Sequence, residues 1–318
     1  MVKELLLGDN AFIGVSHLCQ EKAKEESSKT QLENKVNVIK AALDGGATGF
    51  TFSSHENNLE LLTHLYDNDK ALLEKMNYYI LVPYSQSYVR KSNVDGTPAL
   101  IKSKLRDFFS GQMSVTNAFA SLLTLKPERL TGLFLESELV PYFKILPRKN
   151  IKAILLHEVL TELFLAFNLM DSIRPLEHYV NTRFKVGFGL VTRNFSFLHD
   201  SLLKSGYFPE YIMTPINSLG YQMAESKDKV ENGIKDIGGK SKIIAINILA
   251  SGVVSLDQAV ENLIKYNDSI YAITTASTKP QRIFDNFQKL SRIFLAKYIN
   301  TINTPAQGSN SKQISIEQ

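Results

Sequence analysis

The sequence predicts an α/β fold: a parallel β-sheet closed into a (β/α)8 TIM barrel, with a helical insertion between the third and fourth strands. Eight short aliphatic or β-branched segments alternate with helical segments of about ten to fifteen residues, which is the pattern of repeated βα units. The chain has 318 residues, a length at which an α/β barrel commonly forms one domain. Polar residues follow the C-terminal end of most of these segments, where such barrels carry their chemistry.

The first half of the barrel is predicted from three short apolar runs and the helices between them. The strands are Leu5–Leu7, Phe50–Phe52 and Tyr78–Val82. Leu32–Leu43 places apolar side chains at helical spacing, and the glycine pair 45–46 ends that helix, as glycine beyond a last turn does. A second helix covers Leu59–Tyr66, or at most Leu59–Met76.

Residues 84–150 interrupt this pattern. Two or three helices are predicted within them, over Ala99–Phe109, Val115–Leu125 and near Glu136–Ile145. The segment is far longer than the usual connection between a strand and a helix, which has about two to six residues. Such additions form lids, substrate walls or oligomer contacts. If the protein is a homo-oligomer, we expect this insertion to provide the contact.

The regular alternation resumes at residue 151. The predicted strands are Ile151–Leu156, Phe184–Val191, Tyr211–Thr214, Ile243–Ile248 and Tyr271–Thr274. The predicted helices are Glu158–Leu169, Phe195–Lys204, Ala224–Ile237, Ser255–Tyr266 and Pro280–Tyr298. This order predicts one barrel domain over residues 1–303 and a disordered tail over residues 304–318. A doubly wound open sheet is the alternative, but no glycine-rich turn follows the first strand to favour it.

Composition and charge exclude several classes of partner. The charged share is 21% and the net charge +4, with basic residues scattered rather than clustered, so nucleic acid is not an expected partner. The single cysteine, Cys19, fits a reducing compartment. No apolar run is long enough to span a bilayer, and charged residues interrupt residues 1–15, where a signal peptide would lie. We expect a cytoplasmic protein that binds a small molecule and has no membrane partner.

The segment Ala272–Phe287 has the features of an anion site. A β-branched strand ends in small hydroxyl residues and leads into a helix whose first turn contains Pro280, a position that tolerates proline. Lys279 and Arg282 lie near this helix N-terminus, where the helix dipole favours negative charge. The alternative is an ordinary N-capped surface helix.

If the sheet closes, the polar groups at the strand ends meet at one mouth. They are Asp9, Asn10, Ser53, His55, Glu56, Tyr84, His157, Glu158, Arg193, Asn194, Asn217, Ser251 and Ser277. Asp9 and Tyr84 are candidate substrate contacts, and the alternative is that they hold their loops. Asp9, His17, His55 and His157 also suggest metal binding. No His-x-His or His-x-x-x-His spacing is present, however, and we predict no metal site.

Three residues of this set are candidate catalytic groups. His157 follows a strand of aliphatic residues, and an imidazole there can polarise a carbonyl or exchange a proton near neutral pH. The alternative is a structural histidine held by hydrogen bonds. Either His55 or Glu56 can act as a general acid. Alternatively, Glu56 caps the helix that begins near Asn58.

The last predicted βα unit resembles the aldo-keto reductase superfamily. NADPH-binding members of that superfamily run Lys-Ser, a short spacer with Pro, then Arg and, four residues later, Asn. Here A-S-T-K-P-Q-R-I-F-D-N-F supplies Ser277, Pro280, Arg282 and Asn286, with Lys279 as a substitute for the lysine. The resemblance implies that these residues hold the adenine and 2′-phosphate end of an NADP-type cofactor. A guanidinium suits that role, because it grips phosphate through two hydrogen bonds.

Three shorter segments extend the resemblance. I-A-I-N-I-L-A-S-G resembles the seventh-strand segment whose loop lies over the pyrophosphate, and implies Ser251 and Gly252 as cofactor contacts. G-L-V-T-R-N-F places Asn194 where the family holds the nicotinamide carboxamide. A-I-L-L-H places His157 at the family's catalytic histidine.

Other positions depart from the family's pattern. Thr51 stands at the second-strand aspartate, His55 or Glu56 at the tyrosine proton donor, and no lysine lies within residues 82–84. We therefore expect an atypical oxidoreductase acting on a small carbonyl or alcohol, whose proton donor titrates between about pH 5 and 8. The alternative is a barrel without redox chemistry: a lyase or hydrolase of a phosphorylated small molecule, or a non-catalytic binding protein.

Overall fold

The computed structural model describes residues 1–10, 12–13, 32–83 and 127–295. Several sequence-based predictions lie outside these described residues. They are the substrate role of Tyr84, the helices over residues 99–109 and 115–125, and the tail after residue 304. The domain boundary at residue 303 also stays a prediction.

Eight parallel strands form a closed barrel. They are β1 (Glu4–Gly8), β2 (Gly49–Ser53), β3 (Asn77–Val82), β4 (Ile151–Leu156), β5 (Gly187–Val191), β6 (Tyr211–Pro215), β7 (Lys242–Ile246) and β8 (Ile270–Thr275). Each strand pairs with the next in sequence, and β8 pairs with β1 to close the sheet. The predicted (β/α)8 fold class is therefore confirmed, and the open-sheet alternative is wrong.

Ten α-helices in the described part of the chain surround the strands. They are α1 (Leu32–Asp44), α2 (Glu56–Asn68), α3 (Lys70–Glu74), α4 (Pro127–Ile145), α5 (Glu158–Ala166), α6 (Ile173–Phe184), α7 (Phe195–Ser205), α8 (Lys227–Ile237), α9 (Leu256–Ile264) and α10 (Pro280–Leu290). Helix α4 lies between β3 and β4, within the residues of the predicted insertion, which as a whole stays a prediction. None of these helices combines the length and the apolar surface needed to cross a membrane.

The connection from β4 to β5 differs from its prediction. The sequence pattern predicts no helix over residues 173–183 and a fifth strand that begins at Phe184. Phe184 instead ends α6, which buries Ile173, Leu176, Val180 and Phe184 along one face. Lys185 then adopts the left-handed conformation that terminates the helix. The apolar spacing of three or four residues carried this signal, but polar residues between the apolar positions obscured it.

The barrel has an interior and an outer layer of core because strand side chains alternate between the two faces of the sheet. Leu6, Tyr79, Met213 and Ile244 belong to the interior cluster. Strand residues such as Leu7 pack outward against the helices in a second, larger cluster. The interior is filled by side chains, so ligands have access only at its ends.

Hydrogen bonds among buried polar groups occupy the N-terminal end of the barrel. The Glu4 carboxylate accepts hydrogen bonds from Thr48 Oγ1 (2.5 Å) and Asn77 Nδ2 (2.8 Å). Burial nevertheless raises the pKa of Glu4, because the hydrogen bonds only partly offset the cost of removing its charge from water. Tyr79 and Tyr211 pack edge to face beside this group. These groups bond to one another, which leaves the C-terminal mouth as the candidate site.

Candidate active site at the barrel mouth

His157 lies directly after β4 and caps the N-terminus of α5. Its backbone N–H donates to Val82 O (2.8 Å), and its Nδ1 accepts the N–H of Val159 (3.3 Å). Since Nδ1 is an acceptor, the proton of the neutral ring is on Nε2. Burial, and then the nearby Arg193 charge, lower the pKa of His157 to about 4. The expectation that this imidazole titrates near neutral pH is therefore wrong: His157 is a neutral Nε2–H donor.

Two carboxylates of α5 hold the loop that follows β5. Glu158 receives both Nε (2.8 Å) and Nη2 (2.7 Å) of Arg193 in a bidentate ion pair. Glu162 Oε1 accepts Thr192 Oγ1 (2.6 Å), Arg193 N (3.1 Å) and Asn194 N (3.3 Å). Glu162 is not among the predicted site residues, although its spacing of four from Glu158 places both carboxylates on one helix face. The loop that presents Arg193 and Asn194 is thus rigidly attached to the helix that begins at His157.

Asn194 is the N-cap residue of α7, yet its side chain does not cap the helix. Its Oδ1 is buried and has no hydrogen-bond partner among the described residues. Asparagine is one of the best N-cap residues, so its failure to cap is informative. A groove of about 470 Å³ lies beside it, lined by Arg193, Val159, Leu163 and Ala224 among others. Asn194 therefore lines a space that can hold a ligand, and its unpaired Oδ1 is buried below the accessible surface.

His55 occupies the equivalent position after β2. It is the N-cap of α2, and its Nδ1 accepts the N–H of Asn57 (3.0 Å). Tyr142, on helix α4, donates its hydroxyl to the carbonyl of His55 (3.0 Å). Ser54 Oγ donates to Glu138, also on α4 (2.7 Å). Helix α4 therefore holds the loop that carries His55.

Glu56 is the first residue of α2, and it is exposed. A carboxylate in a first helical turn interacts favourably with the helix dipole. His55 caps this helix, so the capping role that was the alternative for Glu56 belongs to His55.

Asp9 is buried behind the loop that follows β2. Its Oδ2 accepts three hydrogen bonds: from Ser53 N (2.8 Å), Ser53 Oγ (2.7 Å) and Asn58 Nδ2 (2.7 Å). Burial raises the pKa of Asp9 even though these donors favour its charged form. This geometry ties the end of β1 to β2 and α2, so any effect of Asp9 on a substrate acts through the position of this loop.

The loop after β7 combines left-handed backbone with a buried hydroxyl. Ala250, Ser251 and Gly252 have φ values of 46°, 59° and 91°. Left-handed backbone costs a non-glycine residue about 1–2 kcal/mol, and such strain concentrates at functional sites. Asn247 Oδ1 accepts the N–H of Ser251 (3.0 Å), which holds the turn. The hydroxyl of Ser251 is buried and unpartnered among the described residues.

The loop after β8 leads into α10 without a side-chain cap. Lys279 is the N-cap residue, and it has no acceptor atom to offer the first N–H groups. Ser277 Oγ instead accepts the N–H of Lys279 (3.1 Å). Arg282 is exposed in the first turn, and Asn286 is buried one turn further along. Two cations therefore lie beside an uncapped helix N-terminus, an arrangement that favours an anion.

Strand order determines which of these groups are neighbours. Strands β4 and β5 are adjacent, so His157 lies beside Arg193 and Asn194. Strands β7 and β8 are also adjacent, so the loop of Ser251 lies beside that of Ser277. His55 is two strands from His157, about 10 Å at the usual spacing of strands. Within the described ranges, no three His, Cys, Asp or Glu side chains come together as metal ligands.

Comparison with solved structures identifies the fold. No protein-family model matches the sequence, and no curated protein matches it. An aldo-keto reductase of Bacillus halodurans in its holo form superimposes with a TM-score of 0.52 at 10% identity, over 98% of this chain and 95% of that one. An aldo-keto reductase of Bombyx mori in complex with NADP gives 0.51 at 11% identity, over 95% and 88%. The fold is that of the aldo-keto reductases.

In this aldo-keto-reductase-like barrel, Thr51 and His55 are two of the side chains at the β2 end of the mouth. Thr51 is buried on β2, and His55 caps the helix that follows. The superpositions show a shared fold, and identities of 10% and 11% do not assign chemistry to these residues.

Proposed function

We propose that the protein is an aldo-keto-reductase-like oxidoreductase that binds an NADP-type cofactor in the barrel mouth and interconverts a small carbonyl compound and its alcohol. One observation carries the proposal. Asn194 and Ser251, both implied as cofactor contacts by the sequence resemblance, each bury an oxygen with no partner among the described residues. Leaving such a group unpaired costs about 1–3 kcal/mol. A carboxamide N–H for Asn194 Oδ1 and a phosphate oxygen for the Ser251 hydroxyl would remove that cost.

The proposed cofactor residues that follow β7 and β8 fit the anionic parts of such a molecule. Ser251 and Gly252 form a strained turn that supports the pyrophosphate. Ser277, Lys279, Arg282 and Asn286 belong to the loop and helix after β8, where the uncapped N-terminus and two cations suit the 2′-phosphate end. Because these elements follow adjacent strands, one extended molecule can contact both.

His157 is the proposed polarising group. When bound, the nicotinamide supplies or accepts the hydride. The Nε2–H of His157 donates a hydrogen bond to the substrate oxygen, while Val159 fixes the ring through Nδ1. A neutral imidazole at a helix N-terminus suits this role, because it stabilises developing negative charge without first losing a proton. The pKa of about 4 keeps His157 neutral throughout the physiological range.

The proton itself is assigned to His55 or Glu56. Both residues lie at the start of α2. His55 is held in place by the capping hydrogen bond that its ring accepts and by the hydrogen bond that its carbonyl accepts from Tyr142. His157 is unsuited to deliver the proton, since its lowered pKa leaves it unprotonated at neutral pH. Asp9 and Tyr84 are proposed to affect the substrate, Asp9 through its loop and Tyr84 by direct contact.

Fluorescence titration of the purified protein with NADPH and with NADH tests this proposal. We expect saturable NADPH binding that weakens about tenfold or more in Arg282→Ala, the loss expected for a charge-assisted hydrogen bond. Lys289→Ala is the matched control, because Lys289 is on the same helix but pairs with Asp257. Ser251→Ala is expected to weaken binding without lowering thermal stability. Absence of binding at millimolar NADPH would remove the cofactor from the proposal.

A further inference from the structure

Helix α5 carries apolar side chains on its outer side as well as on its inner side. Leu165 is buried on the inner side, toward the barrel. On the outer side, Val159, Leu163 and Phe167 follow one another at spacings of four residues, and they are 43%, 47% and 69% exposed. Residues four apart lie on one face of a helix. A surface helix normally presents polar residues on the side opposite its buried face, so the outer side of α5 departs from that pattern.

Two further side chains extend this apolar surface. Leu169, just beyond the end of α5, is 47% exposed, and Phe197, in the first turn of α7, is 44% exposed. Asn194, the N-cap residue of α7, lines the same groove as Leu163, so Phe197, three residues further along α7, lies near that groove. We call the five exposed apolar residues the α5 face: Val159, Leu163, Phe167, Leu169 and Phe197.

The α5 face is large enough to form the apolar part of a stable dimer interface. From the exposed fractions, and about 200 Å² for a whole phenylalanine side chain, the five side chains expose roughly 450 Å². A standard interface buries about 800 Å² on each partner, and about 65% of a homodimer interface is apolar, which is about 500 Å² per subunit. Single exposed leucines are normal on a protein surface, whereas a patch of this size marks an interaction surface.

The charges around the α5 face favour a second copy of this chain as its partner. Across residues 159–169, every exposed side chain is uncharged. The two carboxylates of α5 are already occupied, since Glu158 pairs with Arg193 and Glu162 accepts three hydrogen bonds from the loop after β5. In a two-fold symmetric contact, an unpaired charge would approach its own copy and be repelled by it. A neutral apolar face avoids that repulsion, and it offers no counter-charge to a partner recognised through charge.

We propose that the α5 face is a homodimer interface, in which α5 packs against α5 of a second copy around a two-fold axis near Leu163. Leu163 is the middle one of the three exposed apolar residues at spacings of four. Parallel or antiparallel crossing at that point therefore places its side chain next to its own copy. The inference goes beyond the proposed function and does not depend on it. It places the contact on α5, whereas the sequence-based expectation for an oligomer was the segment 84–150.

Sedimentation equilibrium of the full-length protein, from nanomolar to high micromolar concentration, tests the interface. We expect a dimer whose dissociation constant rises at least a hundredfold in Leu163→Asp and in Phe167→Asp, because symmetry places two charges in an apolar contact. Ile264→Asp is the matched control: Ile264 is an apolar residue 52% exposed at the end of α9, which follows β7 on another side of the barrel. It should leave the dissociation constant unchanged, and circular dichroism should show all three variants folded.

Two results of this experiment would overturn the inference. One is a wild-type protein that stays monomeric at high micromolar concentration. The other is a dimer that persists with unchanged affinity in folded Leu163→Asp and Phe167→Asp, which would place the contact elsewhere on the chain.

Mixing two charge variants tests the two-fold axis itself. Leu163→Lys and Leu163→Asp should each be monomeric alone, because like charges meet across the axis. An equimolar mixture should form a heterodimer, because opposite charges then face each other. A mixture that stays monomeric would overturn the placement of the axis at Leu163.

Hydrogen exchange distinguishes a second copy from another part of the same chain as the occupant of the α5 face. In a dimer, the protection of the backbone amides of residues 163–167 should fall when the wild-type protein is diluted below its dissociation constant. Leu163→Asp should show the lower protection at every concentration. Protection in the wild type that does not depend on concentration would mean that the α5 face is covered within one chain, and it would overturn the inference.

Discussion

Nδ1 of His157 accepts a hydrogen bond from the backbone N–H of Val159 at 3.3 Å, so a single imidazole both caps a helix and has its tautomer fixed. His55 makes the same contact with Asn57 at 3.0 Å. Both histidines therefore have a structural role and a proposed chemical one. Replacing either with alanine would remove the two roles together. Replacement by asparagine separates the two roles, because the asparagine amide oxygen can also cap a helix, whereas the side chain has no imidazole.

The pH dependence of stability should report the state of His157. Its pKa is about 4 in the folded protein, whereas an unperturbed histidine titrates near 6.5. Between these values the unfolded chain binds more protons, so stability falls as the pH decreases from 6.5 toward 4. Between pH 6.5 and pH 4.5, the free energy of unfolding of His157→Asn should fall by about 2 kcal/mol less than that of the wild type. Urea unfolding at the two pH values measures this, and identical losses in both proteins would contradict the lowered pKa.

His55 should separate capping from catalysis. His55→Ala should cost about 1 kcal/mol of stability by removing the cap of α2, and His55→Asn should recover most of it. Both variants should lower NADPH-dependent turnover about a hundredfold if His55 transfers the proton. Urea unfolding and steady-state kinetics are the two measurements. Full turnover in His55→Asn would leave His55 with the capping role alone and assign the proton to Glu56.

The contribution of Asp9 to stability should depend on pH in the opposite direction to that of His157. Burial raises its pKa in the folded protein, so the folded state holds its proton more tightly than the unfolded state, and stability falls as pH rises through that value. Asp9→Asn keeps an acceptor for Ser53 and Asn58 without a charge. Its stability should rise relative to wild type as the pH is raised. Asp9→Ala should be destabilised at every pH by about 1–3 kcal/mol, because the donors are left unpaired. Urea unfolding from pH 4 to 8 is the measurement, and a gap independent of pH would contradict the raised pKa.

Gly189 should be essential for packing inside the barrel. An added Cβ would lie 2.6 Å from both Leu155 Cδ2 and Tyr211 Cβ, so Gly189→Ala forces the interior apart and should cost about 1–3 kcal/mol. Gly206→Ala is the comparison, because it meets no atom within 4 Å and is affected only by its φ of 63°. Its expected cost is about 1 kcal/mol. Thermal unfolding of the two variants measures the difference, and an unaffected Gly189→Ala would mean that Tyr211 can repack.

The sequence by itself determined the number, order and approximate bounds of the strands, because hydrophobic periodicity is a local property of the chain. Strand β4 begins and ends at the predicted residues, Ile151 and Leu156. The position of the mouth followed as well, since parallel strands present their C-terminal ends together. Helix α6 was not predicted, because polar residues separate the apolar residues that mark its buried face.

Only the tertiary structure decided the chemical state of the groups at the mouth. The pKa of His157 depends on its burial and on Arg193, which arrives from the next strand. Asp9 meets donors 44 and 49 residues away along the chain. The unpaired oxygens of Asn194, Ser251, Thr51 and Thr274 are visible only when their surroundings are known. Burial and hydrogen-bond partners arise from contacts between distant segments, so no local pattern of residues encodes them.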